Sequence, residues 1–277
     1  MAGIESFEGR TALVTGAADG IGAALAGALQ AAGATVFLAD INEEKLKATA
    51  ERLGCESAVC DVTDEAAVEE IVESAWAALG SVDLVCANAG VIVAGSLLDV
   101  DRTDFDFGFG VNVLGILHVV RPQVRKLREN GRQGAFLLTG SEHSLSLPAY
   151  LRPVPMHIYT MTKHTVLAIG ESLRAEFGPD GHGVSVLCPG PVTSGLMENS
   201  TAARPEALGD PKAVDFSKID PEAIKGLQDG YIGADQAAAT ALRGLRAGAF
   251  IIPTHAFQRD DIEARYQEAI AGFDLIE

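Results

Sequence analysis

Tyr159 and Lys163 stand four residues apart in a stretch, 157–177, that reads as helix, so both side chains leave one face of it. A phenol of pKa about 10 is a poor base at neutral pH. A neighbouring ammonium favours the phenolate and lowers that pKa. Such a pair can pass a proton to or from a hydroxyl or carbonyl oxygen. Ser141, which follows an apolar run at 134–139, can donate a hydrogen bond to the same oxygen. Asn112, in a helical stretch after the preceding strand, can hold a water that links Lys163 to solvent. Each residue alone is weak evidence, because a Tyr/Lys pair on a helix more often decorates a surface. Their place behind a glycine-rich turn makes them a candidate set.

That turn is Thr15-Gly16-Ala17-Ala18-Asp19-Gly20-Ile21-Gly22, set between a short apolar run and an Ala-rich helical stretch. Gly16 suits the tight turn, Gly20 lets the backbone approach a pyrophosphate, and Gly22 permits close helix–sheet packing. Phosphates meet a helix N-terminus, where unpaired amides and the dipole favour negative charge. Asp40 ends the second strand, where a carboxylate accepts both ribose hydroxyls and repels a 2′-phosphate. No Lys or Arg stands at 17–19 or 41–42, so NAD is expected over NADP. A helix cap is the other reading of Asp40. Asp61-Val62 ends the third strand and can bond and pack against adenine, or cap the next turn. Asn88-Ala89-Gly90 ends the fourth, where small residues leave room for the cofactor or form a plain turn.

Positioning these groups requires regular elements. Strand-like runs at 11–16, 35–39, 57–60, 82–87, 134–139, 183–188 and 249–252 alternate with helical stretches at 20–32, 43–53, 65–79, 103–129, 157–177, 233–246 and 257–271. Short, continuously apolar strands separated by longer helices predict a doubly wound, Rossmann-like parallel α/β sheet. Ligands in such sheets bind at the C-terminal ends of the strands. One domain is expected over 1–277, with an inserted loop at 144–156 and a proline-rich lid at 190–230.

Composition limits the partners. Lys plus Arg number 21 and Asp plus Glu 38, a formal charge of −17 over 277 residues. That disfavours a nucleic-acid backbone or an acidic substrate and leaves an uncharged alcohol unopposed. Cys55, Cys60, Cys86 and Cys188 show no CxxC spacing, which predicts reduced, buried thiols and a cytoplasmic setting. No signal peptide or run of eighteen apolar residues is seen, so no membrane partner is expected.

With these pieces in place, the sequence resembles the NAD-dependent, single-domain type of the short-chain dehydrogenase/reductase family. The resemblance rests on TGAADGIG at 15–22, DV at 61–62, NAG at 88–90, Asn112, Ser141, YTMTK at 159–163 and PGPVTSGL at 189–196. It implies Tyr159 as general acid/base, Lys163 as its partner and ribose ligand, Ser141 as substrate orienter and Asn112 as proton-relay anchor. It further implies that Pro189, Gly190 and Thr193 lie beside the nicotinamide, with Thr193 bonding its carboxamide. Hydride would then pass between the nicotinamide and a carbinol carbon.

Two departures bear on the substrate. Ser141 and Tyr159 are 18 residues apart, longer than is common in the family, so Ser144 is an alternative serine. The extra residues carry Leu147, Tyr150 and Met156, which are expected to wall a hydrophobic pocket with His143, Leu196 and Met197. The ending at 249–273 resembles a subgroup that includes bacterial Cα-dehydrogenases of lignin-derived β-aryl ethers. That resemblance implies a benzylic secondary alcohol; steroid, dihydrodiol or other cyclic alcohols are the runner-up, and a cofactor-bound scaffold without turnover is the remote one. Ile262, Tyr266, Ile270 and Phe273 share one side of the last helix, which is expected to pack on its own sheet or on a partner in a homodimer or homotetramer. His143, His157 and His164 form no tetrahedral set, so no metal is expected.

Overall fold

The computed structural model describes residues 4–209, 221, 225, 228 and 230–276. Seven parallel strands form one sheet in the order β3-β2-β1-β4-β5-β6-β9. They are β1 (Thr11–Thr15), β2 (Thr35–Asp40), β3 (Glu56–Val59), β4 (Leu84–Ala87), β5 (Ala135–Thr139), β6 (Gly183–Cys188) and β9 (Ile251–Pro253). A separate two-stranded ribbon, β7 (Val192–Thr193) with β8 (Ile232–Gly233), was not legible in the sequence.

The helices are α1 (Gly20–Ala31), α2 (Glu43–Leu53), α3 (Glu65–Leu79), α4 (Arg102–Phe109), α5 (Gly115–Glu129), α6 (His157–Phe177), α7 (Leu196–Ala202), α8 (Ala234–Arg246) and α9 (Arg259–Ala271). Side chains start several of them. Asp19 accepts from the Gly20 N–H ahead of α1, Asn42 from Lys45 ahead of α2, and Asp64 from Ala66 and Ala67 ahead of α3.

Each sheet face is covered by its own core. On one side Val68 and Ile71 of α3, Val119 and Leu127 of α5, and Val166 of α6 pack on the strands. On the other, Leu25 and Leu29 of α1, Leu46 of α2, and Leu242 and Leu245 of α8 do so. Fully burying each such side chain stabilises the fold by about 1.5–3 kcal/mol.

The run expected as one helix at 103–129 is α4 and α5 joined by a π-helical turn, Gly110–Leu114. Its span, Arg102–Glu129, is long and apolar enough to cross a membrane. Here it is a core helix: Val119, Val120 and Leu127 are buried, and Arg121, Arg125 and Lys126 pair with Glu65, Glu69 and Glu73 of α3. In the last helix Ile262 packs on the core, whereas Tyr266 and Ile270, with Phe273 just beyond the helix end, are exposed.

Candidate active site

Strand order reverses between β1 and β4, which neighbour each other while β2 and β3 lie to one side. A crevice opens at such a switch point. It holds a cavity of about 590 Å³, lined at one end by Gly16, Gly20 and Asp40 and at the other by Ser141, Tyr159 and Lys163.

At the nucleotide end the chain is shaped by what it lacks. Gly16 and Gly20 have φ of +64° and +54°, a region that suits glycine. A Cβ on Gly16 would stand 2.7 Å from the Ala89 Cα, and one on Gly22 would stand 2.0 Å from the Gly16 carbonyl oxygen. Asp40 holds its carboxylate at the cavity wall by accepting from the Ala18 N–H (3.0 Å) and the Asn42 N–H (2.9 Å). These features fit a dinucleotide: a close backbone approach, a helix N-terminus and a fixed carboxylate for ribose hydroxyls. Ile21, Asp61, Val62, Asn88, Ala89, Gly90, Pro189 and Gly190 also line the cavity.

Several of these residues do structural work as well. Asn88 donates to the Thr15 and Gly16 carbonyls at 3.1 Å and accepts from the Thr139 hydroxyl, stapling the ends of β1, β4 and β5. Asp61 accepts from the Thr63 N–H and hydroxyl, the turn cap that was its other reading. Asp19 pairs with Lys45 at 3.2 Å and accepts from the Asn199 amide at 3.3 Å. Lys45 and Asn199, both in the cavity wall, were missed in the sequence. Lys45 comes from the first turn of α2 and Asn199 from α7, and only folding brings them to the glycine turn.

At the chemical end, Tyr159 is buried, with the Ser141 hydroxyl close enough to act on its phenol. Burial pushes its phenol up to about 12; the Ser141 hydroxyl opposes that shift, and the nearby Glu142 charge adds to it. Lys163 is buried too, donates to the Thr139 carbonyl at 2.8 Å, and lies 5.6 Å from the centre of the Tyr159 ring. Desolvation lowers its ammonium to about 8. Asn112 sits in the π-helical turn behind the cavity. Its amide accepts from the Val91 N–H (2.8 Å) and donates to the Val91 carbonyl and the Thr162 hydroxyl (both 2.9 Å). Gly90 separates it from Lys163: a Cβ there would meet the Asn112 Oδ1 at 3.2 Å and the Lys163 Nζ at 3.4 Å.

The two serines separate clearly. Ser141 lines the cavity and touches Tyr159. Ser144 is buried behind it, accepting from the Ser141 N–H at 3.1 Å.

Of the residues expected to wall a substrate pocket, Leu196 lines the cavity. His143, Leu147, Tyr150, Met156 and Met197 stand outside its walls, as does the exposed Thr193. His143 is buried edge-on to the Tyr159 ring, 5.3 Å between centroids. Tyr150 turns its hydroxyl to Glu142 and packs on Phe257. Apolar walls come instead from Val91, Phe107 and Val111, which the sequence did not single out. Of the stretch 190–230, expected as a lid, α7 is anchored by Ser200, which accepts from the Ile92 N–H at 2.8 Å; residues 210–220, 222–224, 226, 227 and 229 lie outside the described residues. No metal-holding cluster is present among the described residues.

Residues 10–205 match the family model described as short chain dehydrogenase. The chain belongs to the short-chain dehydrogenase/reductase family. Among curated relatives of this dehydrogenase, 1-deoxy-11-beta-hydroxypentalenate dehydrogenase of Streptomyces avermitilis is 37% identical, over 74% of this chain and 78% of that one. A short-chain dehydrogenase/reductase of Burkholderia phymatum, solved with NAD, superposes with a TM-score of 0.84 at 29% identity, covering 96% of both chains. LigO of Sphingobium sp. strain SYK-6 superposes with a TM-score of 0.77 at 27% identity, covering 97% of this chain and 90% of that one. The three cysteines in this dehydrogenase's strand ends, Cys60, Cys86 and Cys188, are buried free thiols pushed up to about 12 by desolvation.

Proposed function

We propose that this dehydrogenase uses NAD to interconvert a bulky, apolar secondary alcohol and its ketone, with an aromatic, benzylic alcohol as the first candidate. The observation that carries the reading is the meeting of Ser141, Tyr159 and Lys163 at one end of a cavity whose other end holds Asp40. When bound, the dinucleotide supplies the hydride acceptor and a positive ring beside the phenol.

The chain's own residues do the rest. Tyr159 takes the proton from the alcohol oxygen, and Ser141 donates a hydrogen bond that holds that oxygen in place. Lys163, fixed by the Thr139 carbonyl, holds the nicotinamide ribose and keeps positive charge under the Tyr159 ring. Asn112 anchors the relay that returns protons through Lys163. In the chain alone the phenol stands near 12, so turnover depends on the positive charge gathered around it.

Asp40 supports NAD over NADP, because its pinned carboxylate repels a 2′-phosphate. Lys45, a cation in the same cavity wall, is engaged by Asp19 and Asn199. The apolar walls of Val91, Phe107, Val111 and Leu196 suit an uncharged substrate. A cyclic alcohol is the second reading, favoured by the hydroxypentalenate named for the 37% identical relative. The exposed Tyr266, Ile270 and Phe273 support assembly as a homodimer or homotetramer, and the free thiols a cytoplasmic setting.

The test mixes protein, NAD and a panel that includes 1-phenylethanol and cyclohexanol, and follows reduced-nicotinamide absorbance. Tyr159→Phe is expected to lower turnover by a factor of about 10²–10⁴ while leaving the NAD Kd nearly unchanged. A Tyr159→Phe enzyme that turns over like the parent would sink the assignment.

A further inference from the structure

Behind the catalytic serine lies a buried carboxylate that the reaction above does not use. Glu142 is 4% exposed. It follows Ser141 in a short 3₁₀ turn, and its N–H donates to the Pro189 carbonyl at 2.7 Å, beside the nicotinamide segment. One carboxylate oxygen accepts from the Tyr150 hydroxyl in the 144–156 insert. The other accepts from the Gln258 amide, just before α9. The same two pieces of chain meet again nearby: Ala149 N–H donates to Asp261 at 3.0 Å, Arg265 donates to the Leu145 carbonyl at 2.5 Å, and Tyr150 and Phe257 pack edge to face. These are the two regions where the chain departs from its family's common plan, and one carboxylate ties both to the catalytic loop.

We propose that Glu142 is a positioning residue for the proton transfer: it joins the insert and the C-terminal segment behind Ser141, and its charge acts on the Tyr159 phenol. The inference rests on the reading of Tyr159 given above. Burial places the Glu142 carboxyl at about 7, so it carries charge over the upper part of the working pH range. A negative charge there opposes formation of a second one on Tyr159. The charged and titratable groups facing this pair are Tyr150 from the insert, Asp261 from α9, His143 from the same turn, and Lys163 from α6. His143 is held to about 4 by burial and stays neutral, so it does not offset the carboxylate.

The joint is built to survive a change of charge. Gln258 uses its amide N–H toward Glu142, and its Oε1 is buried without a partner. Turning that amide by half a turn presents an acceptor to Glu142 in place of a donor. A protonated Glu142, or a glutamine in its place, then keeps both bonds.

That geometry makes Glu142→Gln the decisive variant. Tyrosinate absorbance is titrated with NAD bound, taking the difference against Tyr159→Phe, so that no alcohol is needed. In Glu142→Gln the Tyr159 midpoint is expected to fall by about one to two pH units, the size of one charge about 6–12 Å away at an effective dielectric of about 20. Glu142→Asp, which keeps the charge, is expected to stay within a few tenths of a unit of the parent. The exchange variant Glu142→Gln with Gln258→Glu keeps the pair and moves the charge away from Ser141, and its midpoint is expected below the parent's. It carries the test if the single variant does not fold. An unmoved midpoint in the folded neutral variant overturns the inference. Failure of the Tyr159 reading is separate: it appears as turnover in Tyr159→Phe, whatever Glu142 does.

Discussion

Arg204 and Asp104 form a buried ion pair at 2.7 Å, with side chains only 7% and 2% exposed. Arg204 also donates to the Leu208 and Gly209 carbonyls and lies 5.9 Å from the Phe107 ring centre. It thereby fastens the segment after α7 to α4, across the mouth of the cavity. Arg204→Leu leaves the Asp104 carboxylate buried and without its guanidinium. Breaking one side of such a pair costs about 3–5 kcal/mol. With an unfolding entropy of about 2.1 cal/mol/K per residue, a loss of about 4 kcal/mol in a chain of 277 residues lowers Tm by about 7 °C. Asp104→Leu costs a similar amount and also removes the back-bond to the Asp101 N–H at 3.2 Å, a cap worth about 1 kcal/mol. Replacing both partners removes both buried charges, so the double variant is expected to be more stable than either single one. The assay is denaturant unfolding of all four proteins, read as a double-mutant cycle. If the double variant loses the sum of the two single losses, the pair is not coupled and the argument fails. Arg204→Leu is also expected to raise KM for the alcohol more than it weakens NAD, because Arg204 lines the cavity beside Phe107, in the wall proposed for the substrate.

Asp40→Ala is expected to lower the ratio of kcat/KM for NAD over NADP by about 10–100-fold, the worth of one or two bonds to a charged acceptor, and steady-state kinetics with both cofactors checks it. Ser141→Ala is expected to cut kcat about 10²-fold, whereas Ser144→Ala should leave kcat within a few fold; each loses one bond of the same reciprocal cap, Ser141 from the His143 N–H and Ser144 from the Ser141 N–H, so both should lower Tm by similar amounts and steady-state kinetics distinguishes them. Glu142 has a folded pKa of about 7, above its ordinary 4.5, so from pH 4.5 to 7 the folded state holds the extra proton and stability falls as pH rises. His143, held at about 4, acts in the opposite sense below pH 6.5. The measurement is therefore a difference: unfolding free energy of the parent minus that of Glu142→Gln should decline across pH 4.5–7, and a flat difference would contradict it.

The fold and most of the candidate site were legible because they depend on local patterns. The boundaries of α2 at Glu43–Leu53, α3 at Glu65–Leu79 and α6 at His157–Phe177 follow from caps, stops and apolar spacing within each segment. The glycine turn, Asp40 and the Tyr159–Lys163 spacing carry their chemistry in residue type and short-range geometry. The sequence could not show which side chains from distant segments meet. Lys45 and Asn199 reach Asp19 across 26 and 180 residues, and Phe107 and Val111 take the pocket wall expected of the insert. Tyr150 and Gln258 converge on Glu142, so the insert and the tail are fastened behind the serine rather than lining the cavity. The choice between Ser141 and Ser144 was likewise a matter of three-dimensional placement, since both follow the same strand by a few residues. Residue type and spacing determine what a group can do. Burial and long-range contact decide which groups do it, because desolvation and hydrogen-bond partners exist only once the chain has packed.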